Sequence, residues 1–457
     1  MGGLTSSLLM AAQALLAEQG ALSATSNNIA NVNTPGYSRE VPNFTESSPV
    51  LLGNILYGQG VDLNSITSIR DRLLELRILD ETQQQSNAGT QTGFLNQVQA
   101  LFSNSASGIG TDITAFFNSL NQLSTDPTNL PLRQAVLTAA NNLANDFHNT
   151  VSQLAAIQSN INQNVVQSVN NVNRLTTEIA HLNEQVRALT SLGKDAGAIE
   201  DQRNELIRQL AQVTDVHVIQ TEQDITITTG NGTALVVGGQ SFALTVSATT
   251  SGDQHVYSQG SDVTASLTGG QLGGMFAVRD QALPAVLAQL NDMAAGFSAN
   301  FNAAHHQGFD LNGAAGQDFF APVANGPGAA LSFAVLITDP SAIAASSDGA
   351  QGSNGNIQNL LDVQNQALPG GKTPGDAYSA LVFGVGDAAA QAKAEGDASQ
   401  LSLQQLVDQR QGVSGVSVDE ESANLIRYQH AFSAAARVIT TVDEMTQTII
   451  NMGSPTG

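Results

Sequence analysis

The chain of 457 residues has no cysteine and no tryptophan, and its only lysines are Lys194, Lys372 and Lys393. Without cysteine there is no disulfide, no thiolate metal site and no cysteine nucleophile. Lys plus Arg number 16 against 39 Asp plus Glu, giving a net charge of −23 and an isoelectric point near 4.4. Such a chain lacks the positive field that gathers nucleic acid, and an anionic membrane surface would repel it; neither is expected as a partner. Aromatic residues make up only 5%, which predicts thin cores, although 41% hydrophobic residues suffice to build them. No apolar run reaches the ~18 residues of a membrane span. No Lys or Arg precedes Arg39, and the first segment is striped, not uniformly apolar, so a cleavable secretory signal is not expected.

What is present is length for about three domains and a surface rich in Asn, Gln, Ser and Thr. With only 12% of residues charged, such a surface can pack against copies of itself with little charge desolvation. A lineage-wide composition bias accounts for the same numbers equally well.

The two ends of the chain share a pattern. Leu4, Leu8, Ala11, Leu15, Leu22 and Ile29 fall on alternating steps of three and four, with Glu18 and Thr25 in the gaps. Val418, Leu425, Tyr428, Phe432, Ala435, Ile439, Val442 and Ile449 do the same, broken at Glu421 and Thr446. This spacing lines one narrow face of a helix and seeks a partner face, as in a coiled coil. Each could be an ordinary face packed on a core. Their position at both extremities, and the Pro35-Gly36 break after the first, favours pairing with each other or with neighbouring copies.

The expected fold is mainly α with an inserted β-domain: a long-helix rod of discontinuous domains, its terminal helices paired as an α-helical coiled coil. Residues 1–40 and 414–457 form the terminal coiled-coil domain, and 41–64, punctuated by Pro42, Pro49, Gly53, Gly58 and Gly60, an extended connector. Residues 65–215, 268–304 and 376–413 form the helical rod. Its longest stripe runs from Leu132 to Leu189, on the order of 90 Å of helix. Residues 216–267 switch to period two, with Asn231-Gly232 as a hairpin turn, and read as an inserted antiparallel β-domain. Residues 216–265 of it should be replaceable by a short Gly/Ser linker, because closure entropy changes slowly with loop length. Residues 305–375 read as a loop-rich segment with short strands around Leu331 to Ile337.

Chemical motifs are weak. His305-His306 suggests a metal pair, but adjacent residues diverge on a helix and no carboxylate has the spacing of a zinc helix motif. Asp310-Leu311-Asn312-Gly313 with Asp318 resembles a calcium loop, yet Ala315 and Ala321 stand where that loop needs Gly and Glu, so a polar turn is expected. Gly230-Asn231-Gly232 lies between strands with no helix following and cannot cradle a phosphate. Scattered acids are ordinary for this charge balance. Neither catalysis, a cofactor nor a metal is expected.

Ser26-Asn27-Asn28-Ile29-Ala30-Asn31-Val32-Asn33-Thr34-Pro35-Gly36-Tyr37 resembles the opening motif of the bacterial flagellar axial proteins (rod, hook and hook-associated proteins). The stretch from Asn424 through Tyr428, Phe432 and Arg437 to Met445 resembles their C-terminal helix. Asp201-Gln202-Arg203-Asn204-Glu205-Leu206, Gly269-Gly270-Gln271-Leu272-Gly273-Gly274, and Phe301-Asn302-Ala303-Ala304-His305-His306-Gln307-Gly308 followed by Asp318-Phe319-Phe320 resemble the hook-associated protein 1 family in particular. The resemblance implies a structural subunit at the junction between hook and filament. It would be exported without a cleaved signal through the flagellar type III apparatus and assembled outside the cell as a ring of its own copies. Its implied partners are the hook protein, the second hook–filament junction protein and an export chaperone. The assembly interface is then expected at Leu4, Leu8, Leu15, Leu22, Asn27, Asn28, Ile29, Asn31, Pro35, Gly36, Tyr37, Leu425, Tyr428, Phe432, Arg437, Ile439, Val442 and Ile449. A hook or distal-rod subunit would share both termini, although the helical content of residues 65–215 argues against it. A cell-wall-acting enzyme would need a paired-carboxylate cleft.

Overall fold

The computed structural model describes residues 2–52, 55–102, 108–220 and 224–453. The chain opens with α1 (Gly2–Ala30), which stops where Pro35 withholds a backbone donor and Gly36 takes φ +83°. Four strands follow: β1 (Glu40–Glu46), β2 (Val50–Leu52), β3 (Ile55–Tyr57) and β4 (Val61–Ser68). β1 pairs with β4 and β2 with β3, all antiparallel, so the expected connector is a two-tiered hairpin. In β4, Val61 and Leu63 are half-buried while Asp62 and Asn64 are exposed. This period of two carries the strand to Ser68 and delays α2 (Arg72–Phe102) beyond the expected start near Ser65. Asp71 caps α2, its carboxylate accepting from the backbone N–H of Leu73 and Leu74.

Next come α3 (Ile109–Thr125), α4 (Leu130–Ser191), a single helix of 62 residues where the long stripe was read, and α5 (Gly197–Val213). The period-two segment forms two sheets. One orders β5 (His217–Gln220), β6 (Ile225–Thr228), β7 (Ala234–Val237) and β8 (Gln240–Ser241) consecutively; the other contains β9 (Leu244–Ala248), β10 (Gln254–Ser258) and β11 (Ser261–Asp262). Helix returns with α6 (Gly270–Ala277) and α7 (Leu283–His305). The loop-rich stretch holds α8 (Ala329–Ser332) where strands were expected; within residues 331–337 Val335 bridges Phe320, and elsewhere in the stretch Phe309 bridges Ala315 and Ser346. It also holds α9 (Gly355–Asp362), before α10 (Pro374–Ser414) and α11 (Val418–Gly453) complete the chain.

Two compact units result: residues 1–83, 171–244 and 399–457, and residues 84–170 and 245–398. The expected single β-domain is therefore divided, β5–β8 belonging to the first unit and β10 and β11 to the second.

The second unit concentrates the scarce aromatics. Phe116, Phe297, Phe301, Phe319, Phe320 and Phe333 are buried together, with ring centroids 4.9 Å apart for Phe301 and Phe319 and 4.6 Å for Phe320 and Phe333. Asn302 holds this cluster to the following loop, accepting from the N–H of Phe319 and Phe320 and donating to the Phe320 carbonyl. His305 is fully buried: Nδ1 donates to the Gln317 carbonyl at 2.6 Å and Nε2 accepts from the Ala344 N–H at 2.9 Å. Burial pushes its pKa down to about 4, so the imidazole is neutral and serves as a clasp between loops. His306 instead faces Asp318 at 3.0 Å, and Asp310 accepts from the N–H of Asn312 and Ala314, a polar turn. Among the described residues no group of three His, Cys, Asp or Glu could hold a metal, and no helix is long and apolar enough to cross a membrane.

Candidate assembly interface

Within the first unit, α1 and α11 pack on each other, and β1 and β4 pack on α1. The inward face of α11 carries the stripe read from the sequence: Tyr428, Ala435 and Val442 are buried, and Leu425, Phe432 and Ile439 half-buried. Arg437 and Ile449 are exposed, Ile449 two turns beyond Val442 on the same face. Phe44 of β1 approaches Tyr428 at 6.3 Å between centroids, while the Arg427 guanidinium lies over the Tyr428 ring at 4.9 Å.

The face of α1 differs from the leucine stripe. Ala11 of that stripe is buried, but beyond it the buried set is Ala17, Ala21, Ala24 and Asn28, spaced four, three and four, with Thr25 beside them. Leu4, Leu15, Leu22 and Ile29 are half-buried and Leu8 is exposed. Small side chains let neighbouring elements approach α1 closely; Leu63 of β4 occupies the space a Cβ on Gly20 would fill. Glu18, which filled a gap in the leucine stripe, has its pKa raised by burial, opposed by the charge of Arg427.

Where the helices meet the Pro-Gly turn, the asparagines of the opening motif form a polar knot. Asn28 is 1% exposed and uses its whole amide: Nδ2 donates to the Glu40 carbonyl at 2.8 Å and to Glu421 Oε2 at 3.1 Å. Its Oδ1 accepts from the Tyr37 hydroxyl at 2.9 Å and the Glu40 N–H at 2.8 Å. Glu421, the gap in the C-terminal stripe, is 1% exposed and receives Arg39 Nε at 2.7 Å. Asn27 donates to the Glu40 carboxylate and Asn31 closes back on Asn27. Burial, with the charges of Asp195 and Asp201, raises the Glu40 pKa against the pull of Asn27 and Arg70. Tyr37 is likewise raised, by burial and then by Glu40, Asp201 and Glu421, and so keeps its proton.

The knot reaches three further helices. Ser38 donates twice to Asp201 of α5, through N at 2.8 Å and Oγ at 2.9 Å, and Arg70 holds the same carboxylate at 2.9 Å while also pairing with Glu200. Arg410 of α10 donates to the Gly36 carbonyl at 2.8 Å and pairs with Glu75 of α2. The φ of +83° favours glycine at position 36, where a Cβ would also push aside the mobile end of the Arg208 side chain. Exposed Pro35 lies at the crest of this loop, between a groove of about 600 Å³ against α4 and α5 and one of about 440 Å³ against α10.

Ser38, Arg39, Glu40, Arg70, Asp201 and Glu421 thus belong with the motif asparagines, although periodicity does not single them out. The signal for Glu421 was its intrusion into an apolar stripe, which marks a buried charge awaiting a partner.

The family described as "Flagellar hook-associated protein FlgK helical domain" matches residues 95–320, "Flagella basal body rod protein" residues 8–37, and "Flagellar basal body rod FlgEFG protein C-terminal" residues 409–452. Flagellar hook-associated protein 1 of Escherichia coli is 28% identical, the match covering 96% of this chain and 98% of that protein. The protein of the same name from Bacillus subtilis is 28% identical over 96% and 97%. The flagellar hook junction protein FlgK of Burkholderia pseudomallei has a similar fold, with a TM-score of 0.66 at 18% identity, covering 74% of this chain and all of that one. Along nearly its whole length this chain is similar to the flagellar hook-associated proteins 1 of these bacteria.

Proposed function

We propose that the chain is a structural subunit of the bacterial flagellum that forms the junction between hook and filament, joining its neighbours through the paired terminal helices. The observation that carries this reading is the incomplete burial of that pair. Leu9, Leu16, Ile426, Val438, Met445, Ile449, Ile450 and Met452 lie exposed on α1 and α11, more apolar surface than two helices leave to water without further partners. Neighbouring copies in a ring would cover it, each side chain fully buried contributing about 1.5–3 kcal/mol. The knot at Asn28 fixes the helix pair to α2, α5 and α10, so that load on the terminal helices passes into the helical body.

The partners on this reading are the chain itself, the hook protein below, the second junction protein above, and a chaperone that shields the apolar helices before export. The route out is the flagellar type III apparatus, without a cleaved signal, and the working location is the extracellular flagellum. The role is mechanical and needs no catalytic group or cofactor. Replacing the gene tests it: the strain should make hooks and export filament subunits into the medium, and the restored gene should return filaments to those hooks. Normal filaments in its absence would refute it.

A further inference from the structure

The few basic residues of this acidic chain are gathered unevenly. In a sequence of net charge −23 with only 16 Lys plus Arg, four arginines line one pocket of about 300 Å³. They are Arg70, Arg72, Arg203 and Arg208, set against two acids, Glu75 and Glu200. The pocket lies within the first unit, between the start of α2, one face of α5 and the strands β5 and β6. Leu76, Ile207 and Ile225 complete its walls, and next to apolar walls a charge acts more strongly than in open water.

Both acids are already engaged. Glu200 pairs with Arg70, while Glu75 pairs with Arg410 and stands 3.7 Å from Arg208. Asp201 and Glu205 hold Arg70 and Arg208 further. Arg72 and Arg203 form no ion pair among the described residues, and Arg72 is exposed. Arg203 is 5% exposed; its Nη1 donates to Asn183 Oδ1 at 3.2 Å, and its Nε has no partner among the described residues. Burial lowers its pKa, Glu200 and Asp224 oppose the fall and Arg70 adds to it, but a guanidinium keeps its proton even so. A buried cation with an unused donor is costly unless something accepts from it.

We infer that this pocket is an oxyanion site that takes a small phosphate or polycarboxylate from solution, with Arg203 at its floor and Arg72 at its mouth. A guanidinium offers two parallel N–H groups to two oxygens of one carboxylate or phosphate, and the Nε of Arg203 is free to be one of them. Arg72 can close over the outward oxygens. The volume suits a small ligand, being at the lower end of the range for such sites. A carboxylate on another protein surface would meet Arg72 first, whereas a small anion can enter and meet both arginines. Once bound, it would link α2 to α5 and stabilise the unit that carries the terminal helices by mass action. The inference goes beyond the junction role and does not depend on it.

Titration calorimetry of the full-length isolated subunit tests it, with inorganic phosphate added near neutral pH at an ionic strength held constant by chloride. One saturable site is expected, for which citrate competes. Phosphate also stabilises proteins by exclusion from their surface, so the deciding comparison is with a variant. Removing buried Arg203 would mix binding with folding; Arg72→Gln does not, since that side chain is exposed and unpaired. In chloride this variant should melt like the unmodified chain, and it should bind phosphate at least about tenfold more weakly. No saturable binding of either phosphate or citrate to the unmodified subunit would overturn the site, as would undiminished binding by Arg72→Gln. Neither result bears on whether hooks retain their filaments, so this inference and the junction reading can fail separately.

Discussion

Asn28 and Glu421 are 393 positions apart, yet Asn28 Nδ2 donates to Glu421 Oε2 at 3.1 Å, and both side chains are buried. A carboxylate out of water is tolerated only when its oxygens are satisfied. Asn28 serves one oxygen and Arg39 the other. The bond ties the end of α1 to the start of α11, joining the two extremities of the chain at a fixed register.

Asn28→Ala should therefore cost about 2–4 kcal/mol, since it strips one partner from a buried charge and orphans the Tyr37 hydroxyl and the Glu40 N–H. Hydrogen exchange on the isolated subunit checks this. Amides of residues 17–28 and 421–435 should exchange at least about 30-fold faster, while those of α7 stay as they were. Unaltered exchange at the terminal helices would mean that the knot does not hold them.

Protection along α11 should itself be uneven. Through Val442 its inward side chains are covered, and from Asp443 to Met452 all are exposed. In the isolated subunit the last turns should exchange close to unfolded rates, because a helix without a packed face is marginal, and they should become protected on assembly. Uniform protection from 421 to 452 in the monomer would contradict the account.

Stability of the second unit should depend on pH through His305. Its folded pKa, pushed down to about 4, lies below the model-compound value of 6.5. The neutral imidazole therefore contributes fully above pH 6.5, and the contribution is lost as pH falls through 4, at most about 3 kcal/mol. Asp112 acts in the opposite sense: burial and the neighbouring Asp146 carboxylate raise its pKa to about 6, so what it contributes at low pH is lost as pH rises through 6. An Asp112→Asn background removes that term. Melting in this background should weaken steadily from pH 6.5 to 4, and a flat profile would remove His305 from its clasp role.

Replacing residues 216–265 by a Gly/Ser linker should destabilise the chain, contrary to the expectation from sequence that the segment is separable. Ile227, Val236 and Val256 are fully buried, Gln83 of α2 bonds both backbone groups of Val216, and Asn183 of α4 donates to the Gly238 carbonyl. Removing the sheets would uncover these helices. A clear fall in melting temperature is expected, and a deletion that melts like the intact chain would restore the simpler reading.

How far sequence carried the fold depended on repetition. The stripes of α4 and α11 were legible because many turns repeat one period. The stripe of α1 was read correctly at Ala11, but after it the buried face runs one position earlier than the leucines: leucines advertise burial, whereas Ala17, Ala21 and Ala24 give little signal until the hairpin beside them is known. That hairpin was obscured by Pro42, Gly58 and Gly60, which read as irregular chain, and its pairing is non-local. α9 escaped because eight residues between loops show hardly two turns of pattern. Asn28, Asn31 and Tyr37 were visible as a motif, but their role depends on Glu421 and Asp201, distant partners that no local pattern connects.

The central claim is that the paired terminal helices carry assembly and not the folding of the body. Its most direct test is electron microscopy of hooks from a strain whose only copy carries Val442→Asp, a carboxylate placed at a position 7% exposed between α11 and its partner, where burial costs several kcal/mol. The account predicts an exported subunit whose second unit melts normally, on hooks that have lost their filaments. Filaments retained at the frequency of the unmodified strain would contradict it.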